Sequence, residues 1–428
     1  MSRDTRLASG DIPAVVRRVV GVQPALDIHT HLWAPRFNAI HDGFLLWGID
    51  SLLDYHYLHA ELLRAARGEL SPARLFAMSK RERADTTWRV LFRERAPLSE
   101  ACRGVMTTLH ALGLDPTVDS LESLRSWFED RDLEAHVDHV MRLANVERVT
   151  MTNEVFDPRE RAAWEGDASL GTDGRFAPVV RIDKLLRDPG AASSELASLG
   201  YTGDDLSEQA RLFLSGWVEK TGAVYVAASL PPIEGASLTG SAPGDRVLLD
   251  GVLPVLGERR LPLALMIGAR RGVNPSLRSA GDGVGPSDLA PLAELCAHLE
   301  ESGVPLLTTF LAREDQHALC VLARKFACVT PFGCWWFLNT HGLIGELTTM
   351  RLELLGTTFI PQHSDARVLE QLIYKWAHTR DVLADVLSEQ LVRLAQSGGQ
   401  VTLPIVEREV EALLRGNALS IIPYKVSR

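Results

Sequence analysis

The chain has 428 residues, 46% of them apolar and 23% charged, and a formal net charge of −10. That length can bury a large core and suits one big α/β domain with an inserted region, while the acidic balance argues against nucleic acid or an anionic membrane as partner. The five cysteines (Cys102, Cys296, Cys320, Cys328 and Cys334) are odd in number and contain no C-x-x-C pair, so free thiols of a reducing compartment are expected. The first residues, MSRDTRLASGD, contain no apolar signal core, and no apolar run reaches membrane-spanning length. A cytoplasmic protein is expected.

Taken in order, Ile12, Val15, Val16, Val19 and Val20 recur at helical spacing and predict a leader helix over 11–20. Residues 25–29 then predict a short strand, with His29 and His31 at its C-terminal end. Side chains alternate along a strand, so both imidazoles point the same way and are within reach of one metal ion. From 40 to 145 the pattern is helical with no convincing strand, which predicts a helical insertion. Further strands are predicted over 148–152, 177–182, 223–228, 262–268, 304–310, 327–332 and 358–363. Eight strands interleaved with helices predict a (β/α)8 barrel, and the lack of any G-x-G-x-x-G after a strand disfavours an open doubly wound sheet. The whole of 1–428 is read as one barrel domain, with the insertion at 40–145 and C-terminal helices over 364–428. The segment 231–246, PPIEGASLTGSAPGDR, reads as a mobile loop.

In such a barrel the polar residues at the C-terminal strand ends converge. The first strand supplies His29 and His31, the third ends in Arg181-Ile182-Asp183-Lys184, and the eighth in Gln362-His363-Ser364-Asp365-Ala366-Arg367. Two imidazoles and one carboxylate make a mononuclear site for one divalent ion, zinc or manganese, with a position left open, and Asp365 is the natural third ligand. All 13 histidines lie at or before His139 or at or after His298, and the fifth and sixth strands end in Met266-Ile267-Gly268 and Thr308-Thr309-Phe310. A binuclear centre is therefore not expected. Duller readings stand beside each residue. Asp365 with Arg367, and Arg181 with Asp183, also make sense as ion pairs at the barrel rim. Tyr57 lies among aromatics at helical spacing and competes with Tyr55 and His56 for one role. Trp335, Trp336 and Trp376 suit a packed core, Lys184 a solvated or paired charge, and His363 a place behind the ligands.

The segments DIHTHL, LLDYHYLHAELLR, ERVTMTN, VVRIDKLL, LMIGARR, FGCWWF and FIPQHSDARVLEQLIYKW resemble, in the same order, those of the uronate isomerase (glucuronate isomerase) family of the amidohydrolase superfamily. The resemblance implies metal-dependent aldose–ketose isomerisation of D-glucuronate to D-fructuronate and D-galacturonate to D-tagaturonate. It implies His29, His31 and Asp365 as ligands of one divalent ion, zinc first. Asp365, Tyr57 and Arg367 would be catalytic, with Arg181, Trp376, His56 and Trp335 around the sugar acid. Some members carry a histidine where this chain has Met266, and a Ser-Asp-His-like end where it has Ala227-Ala228-Ser229, which leaves the preference between the two uronates open. The partner expected is a small hexuronate, taken by a homo-oligomer. The alternative is a mononuclear metal-dependent hydrolase or lactonase acting on a sugar acid.

Overall fold

Ala25–Thr30 forms β1, followed by Val146–Asn153 (β2), Phe176–Arg181 (β3), Val226–Leu230 (β4), Leu263–Ile267 (β5), Leu306–Phe310 (β6) and Val329–Pro331 (β7). The computed structural model describes residues 5–234 and 238–424. Neighbours in chain order pair in parallel through all seven strands, so the chain is an α/β protein built on one parallel sheet. Both faces are buried, which explains the nearly continuous apolar runs of the strands. On β5, Leu263, Leu265 and Ile267 pack into the large cluster beneath the helices. Ala264 and Met266 point the other way, into a second cluster with Leu26, Ile28, Ala177, Val179, Ala227 and Leu307. Tyr225 crosses that second core to donate its hydroxyl to the carbonyl of Ile28.

The predicted eighth strand, 358–363, is not a strand among the described residues. Ile360 makes a single parallel bridge to Phe332, with Ile360 N–H donating to Pro331 O at 3.0 Å and Gly333 N–H to Ile360 O at 2.8 Å. Pro361 has no N–H to continue the ladder, and Asp365 sits at φ +53°. On its far side the same segment meets β1: Asp365 N–H donates to His29 O at 3.2 Å, and His31 N–H to Ala366 O at 2.7 Å. The first and last strands of the sheet therefore stand on either side of one irregular segment that carries Asp365.

Between β1 and β2 the chain is helical from Arg36–Ile40 to Leu133–Ala144 and contains no strand. His56–Ala65, with Tyr55 as its extended N-cap residue, brings three consecutive aromatic rings toward the C-terminal strand ends. After the eighth segment, Gln371–Gln396 packs against the leader helix Ile12–Val22 and the helices Glu100–Ala111 and Leu133–Ala144. Ala418, Ile422 and Tyr424 then join the second core, and Tyr424 shares a 3.2 Å hydrogen bond with Thr150. Residues 235–237 of the expected mobile loop lie outside the described residues; the rest of it holds only the short helix Pro243–Arg246. Among the described residues no helix is long and apolar enough to cross a membrane. All five cysteines are free.

Candidate metal centre

The predicted ligands come together. His29, His31 and Asp365 each offer a donor atom, all within 4.8 Å of one another. Asp365 Oδ1 lies 3.2 Å from His31 Nε2 and 3.8 Å from His29 Nε2. The tautomer of His31 follows from its neighbours. Thr152 donates its one hydroxyl proton to Thr30 O at 2.9 Å, so at 3.1 Å it accepts from His31 Nδ1–H. That leaves a lone pair on His31 Nε2, aimed at a carboxylate oxygen.

Neither imidazole is charged. Burial, with the charge of Arg367, lowers His31 to about 4. Burial and the neighbouring His363 push His29 well below the ordinary histidine value. Asp365 is buried as well, which opposes ionisation, but at the low pH where it titrates His31 and His29 take up protons, and with Arg367 they hold its carboxyl well below the usual range. A carboxylate facing an imidazole lone pair, with no proton between them, is an arrangement that a cation relieves. The donor set of two nitrogens and one oxygen suits a divalent metal ion with a position left open.

Around this centre the other expected residues fall differently. Arg367 Nη2 stands 3.5 Å from His31 Nε2. His56 is partly buried and neutral, lowered to about 3 by burial and by Arg367. Its ring lies 5.9 Å from Trp336, and both adjacent tryptophans, Trp335 and Trp336, pack into the second core. The rings of Tyr55 and Tyr57 stand 4.9 Å apart. Burial, then the charge of Asp365, raises the Tyr55 hydroxyl, and burial with Tyr55 raises Tyr57. Both phenols remain proton donors. Lys375, paired with Glu100 at 2.9 Å, closes the wall behind Tyr57.

Two of the expected residues have partners within the protein. Arg181 does not present its bidentate edge to the pocket: Nε and Nη2 are spent on Asp183 at 3.0 and 2.8 Å, the rim ion pair that the sequence left open. Asp183 Oδ1 also accepts from Ser229 N–H at 3.0 Å, and Glu154 lies 4.0 Å from Arg181 on the other side. Trp376, expected around the sugar acid, has its polar edge on another residue of the protein. Its indole N–H is donated to Asp27 Oδ2 at 2.9 Å, and its side chain is fully buried. His363 lies behind the ligands as expected, 5.3 Å from His29 ring to ring, with neither ring nitrogen hydrogen-bonded. Lys184 is paired with Glu195.

Sequence reasoning missed Thr152, Asp27 and Glu154. Asp27 carried a signal, since it precedes His29 by two residues and shares its strand parity. Thr152, near the end of β2, and Glu154, just after it, carried none. Burial pushes Glu154 up to about 7 against the pull of Arg181. Glu160, which accepts from Glu154 N–H at 2.6 Å and from Trp164 at 3.2 Å, is pushed by burial up to about 8. In the unfolded chain Glu160 loses its proton near the ordinary value of 4.5, while the folded chain keeps it to about 8. Between those values the folded state binds more protons, so stability falls as pH rises through the window. Glu160→Gln is expected to lose this share of the pH dependence, so that from roughly pH 5 to 8 the parent loses stability relative to the variant; thermal scans of both at each end check this, and parallel slopes would contradict it.

No family model matches the sequence, and no curated protein does. Among solved structures, a uronate isomerase from Bacillus halodurans C-125 is 42% identical, with 98% of each chain covered and a TM-score of 0.92. This chain belongs to the uronate isomerase family. A uronate isomerase from Thermotoga maritima (16% identity, 98% of each chain, TM-score 0.74) shares the fold. So does a glucuronate isomerase from Caulobacter crescentus (15% identity, 98% of this chain and 95% of that one, TM-score 0.75). The family assignment fits the ligand set at the ends of β1 and the eighth segment.

Proposed function

We propose that this protein is a metal-dependent uronate isomerase that converts D-glucuronate to D-fructuronate and D-galacturonate to D-tagaturonate through an enediol. The observation that carries the reading is the full-length likeness to the Bacillus halodurans enzyme. The barrel belongs to the same proposal: segment 359–366, hydrogen-bonded to β7 on one side and β1 on the other, serves as the eighth stave of a (β/α)8 barrel whose helical insertion walls the pocket.

His29 Nε2, His31 Nε2 and an Asp365 oxygen would hold zinc, which supplies polarisation of substrate oxygens. The reaction moves a proton from C2 to C1, so it needs a base near C2 to take that proton and return it at C1, a stabilised oxyanion and a hold on the substrate carboxylate. Tyr55 and Tyr57 remain protonated and donate. Arg367 places a permanent positive charge beside His31, where negative charge on an enediolate is stabilised. Asp365 remains a carboxylate, free to accept a proton from a substrate hydroxyl or from C2. Arg181, with its inner edge on Asp183, offers its remaining nitrogen, Nη1, to the substrate carboxylate.

Incubation with each uronate, followed by assay for the ketose and for bound metal, tests the reading. Ketose from at least one uronate is expected, and a fully metallated protein that forms none would overturn it. Arg181→Met is expected to lower kcat/KM by roughly 10- to 100-fold, the worth of one charge-assisted hydrogen bond. Steady-state kinetics indistinguishable from the parent would remove Arg181 from the pocket.

A further inference from the structure

Asp27 belongs to no ligand set and takes no part in the reaction proposed above. It is nevertheless a fully buried carboxylate between the two halves of the metal centre. Oδ1 accepts from the backbone N–H of Ser364 at 3.0 Å, and Oδ2 from the indole N–H of Trp376 at 2.9 Å. Ser364 immediately precedes Asp365, the ligand with φ +53°, a conformation that residues other than glycine rarely hold. Ser364 Oγ in turn accepts from Ala366 N–H at 3.2 Å. Main-chain bonds from Asp365 N–H to His29 O and from His31 N–H to Ala366 O set the spacing between β1 and this turn. They do not fix the peptide that enters the turn. That peptide's N–H ends on Asp27, which lies two residues ahead of His29 on the same strand.

We propose that Asp27 is a positioning residue for the metal centre. It holds the peptide ahead of Asp365 so that the Asp365 carboxylate meets His29 and His31, and Trp376, on Gln371–Gln396, holds Asp27 in turn. This rests on the metal-site part of the function proposed above. Asp27 and Trp376 thus form an outer shell that acts through the backbone of one ligand, where outer shells more often act through an imidazole N–H.

The test is zinc binding by the full-length protein after chelator treatment, titrated against a chromophoric competitor, together with melting of the zinc-free protein. Asp27→Asn keeps the side chain's size but has one acceptor oxygen for two N–H donors. Its zinc affinity is expected to fall about 10- to 100-fold. Trp376→Phe, which leaves Asp27 intact but unheld, is expected to weaken zinc in the same direction by a smaller factor, and it decides the question by itself if Asp27→Asn does not fold. At saturating zinc, Trp376→Phe should keep the parent's KM for the uronate. Variants that melt earlier but bind zinc as tightly as the parent would reduce Asp27 to a structural role and overturn the proposal. A parent that binds no zinc would overturn the metal site itself, an outcome distinguishable from the first.

Discussion

His29→Ala or Asp365→Ala is expected to empty the metal centre and to lower kcat by roughly 10³-fold or more, while the protein stays folded. Both side chains contribute to the site and little to the scaffold. Asp365 is tied to β1 through its backbone N–H, on His29 O at 3.2 Å, and that bond survives truncation of the side chain. Its carboxylate is buried against neutral imidazoles, so in the zinc-free protein its removal costs only the attraction of Arg367 and Arg181. Asp365→Asn is the cleaner companion, because asparagine tolerates φ +53° better than alanine does. His29 is 4% exposed, and its loss leaves a cavity costing about 2 kcal/mol, which a chain of this size absorbs. Metal content by elemental analysis, ketose formation and a far-ultraviolet spectrum together check the prediction. Parent-level turnover by either variant after chelation would remove the cation from the reaction. The competing hydrolase reading expects the same metal dependence, so the product decides between the two: a ketose for the isomerase, ring opening of a lactone for the hydrolase.

Much of this site was legible because its ligands obey local rules. His29 and His31 are two apart at a strand end, and strand period alone brings them to one ion. Asp365, more than three hundred residues later, was legible only because parallel strand ends converge, and the 3.2 and 3.8 Å separations from Asp365 Oδ1 follow from that convergence. What escaped was whatever depends on partners chosen in three dimensions. The apolar pattern over 358–363 reads as a strand, but Pro361 removes a donor and the chain bends into the turn that delivers Asp365, so a single bridge remains. Arg181 and Asp183 looked equally suited to substrate or to each other, and nothing in their spacing tells which; folding joined them. Trp376 is the clearest case. A tryptophan on the helix after Asp365 reads as a wall of the pocket, yet its N–H ends on a buried carboxylate from the opposite end of the chain. Thr152 gave no signal at all, because its role comes from a hydroxyl proton already committed to Thr30 O.

The second large effect is expected at Gly333, a residue outside the ligand set. Its φ is +65°, and a Cβ there would lie 1.7 Å from His363 Nδ1 and 2.3 Å from Cε1. A flexible neighbour would swing aside, but His363 is completely buried, with its ring 5.1 Å from Phe332 and 5.3 Å from His29. The displaced imidazole has Phe332 on one side and a metal ligand on the other. Gly333→Ala therefore combines a left-handed backbone cost with overpacking, roughly 2–6 kcal/mol in all, and disturbs His29 as well. Urea unfolding of the zinc-free protein measures the first effect and chelator competition the second. The double variant Gly333→Ala/His363→Ala separates the causes. With the imidazole gone the clash is relieved, and the remaining penalty should be the backbone share of about 1–3 kcal/mol, so the two substitutions should be strongly non-additive. Simple additivity, or a Gly333→Ala protein as stable as the parent, would mean that His363 does not occupy the space against Gly333, and the packing that supports His29 from behind would have to be redrawn.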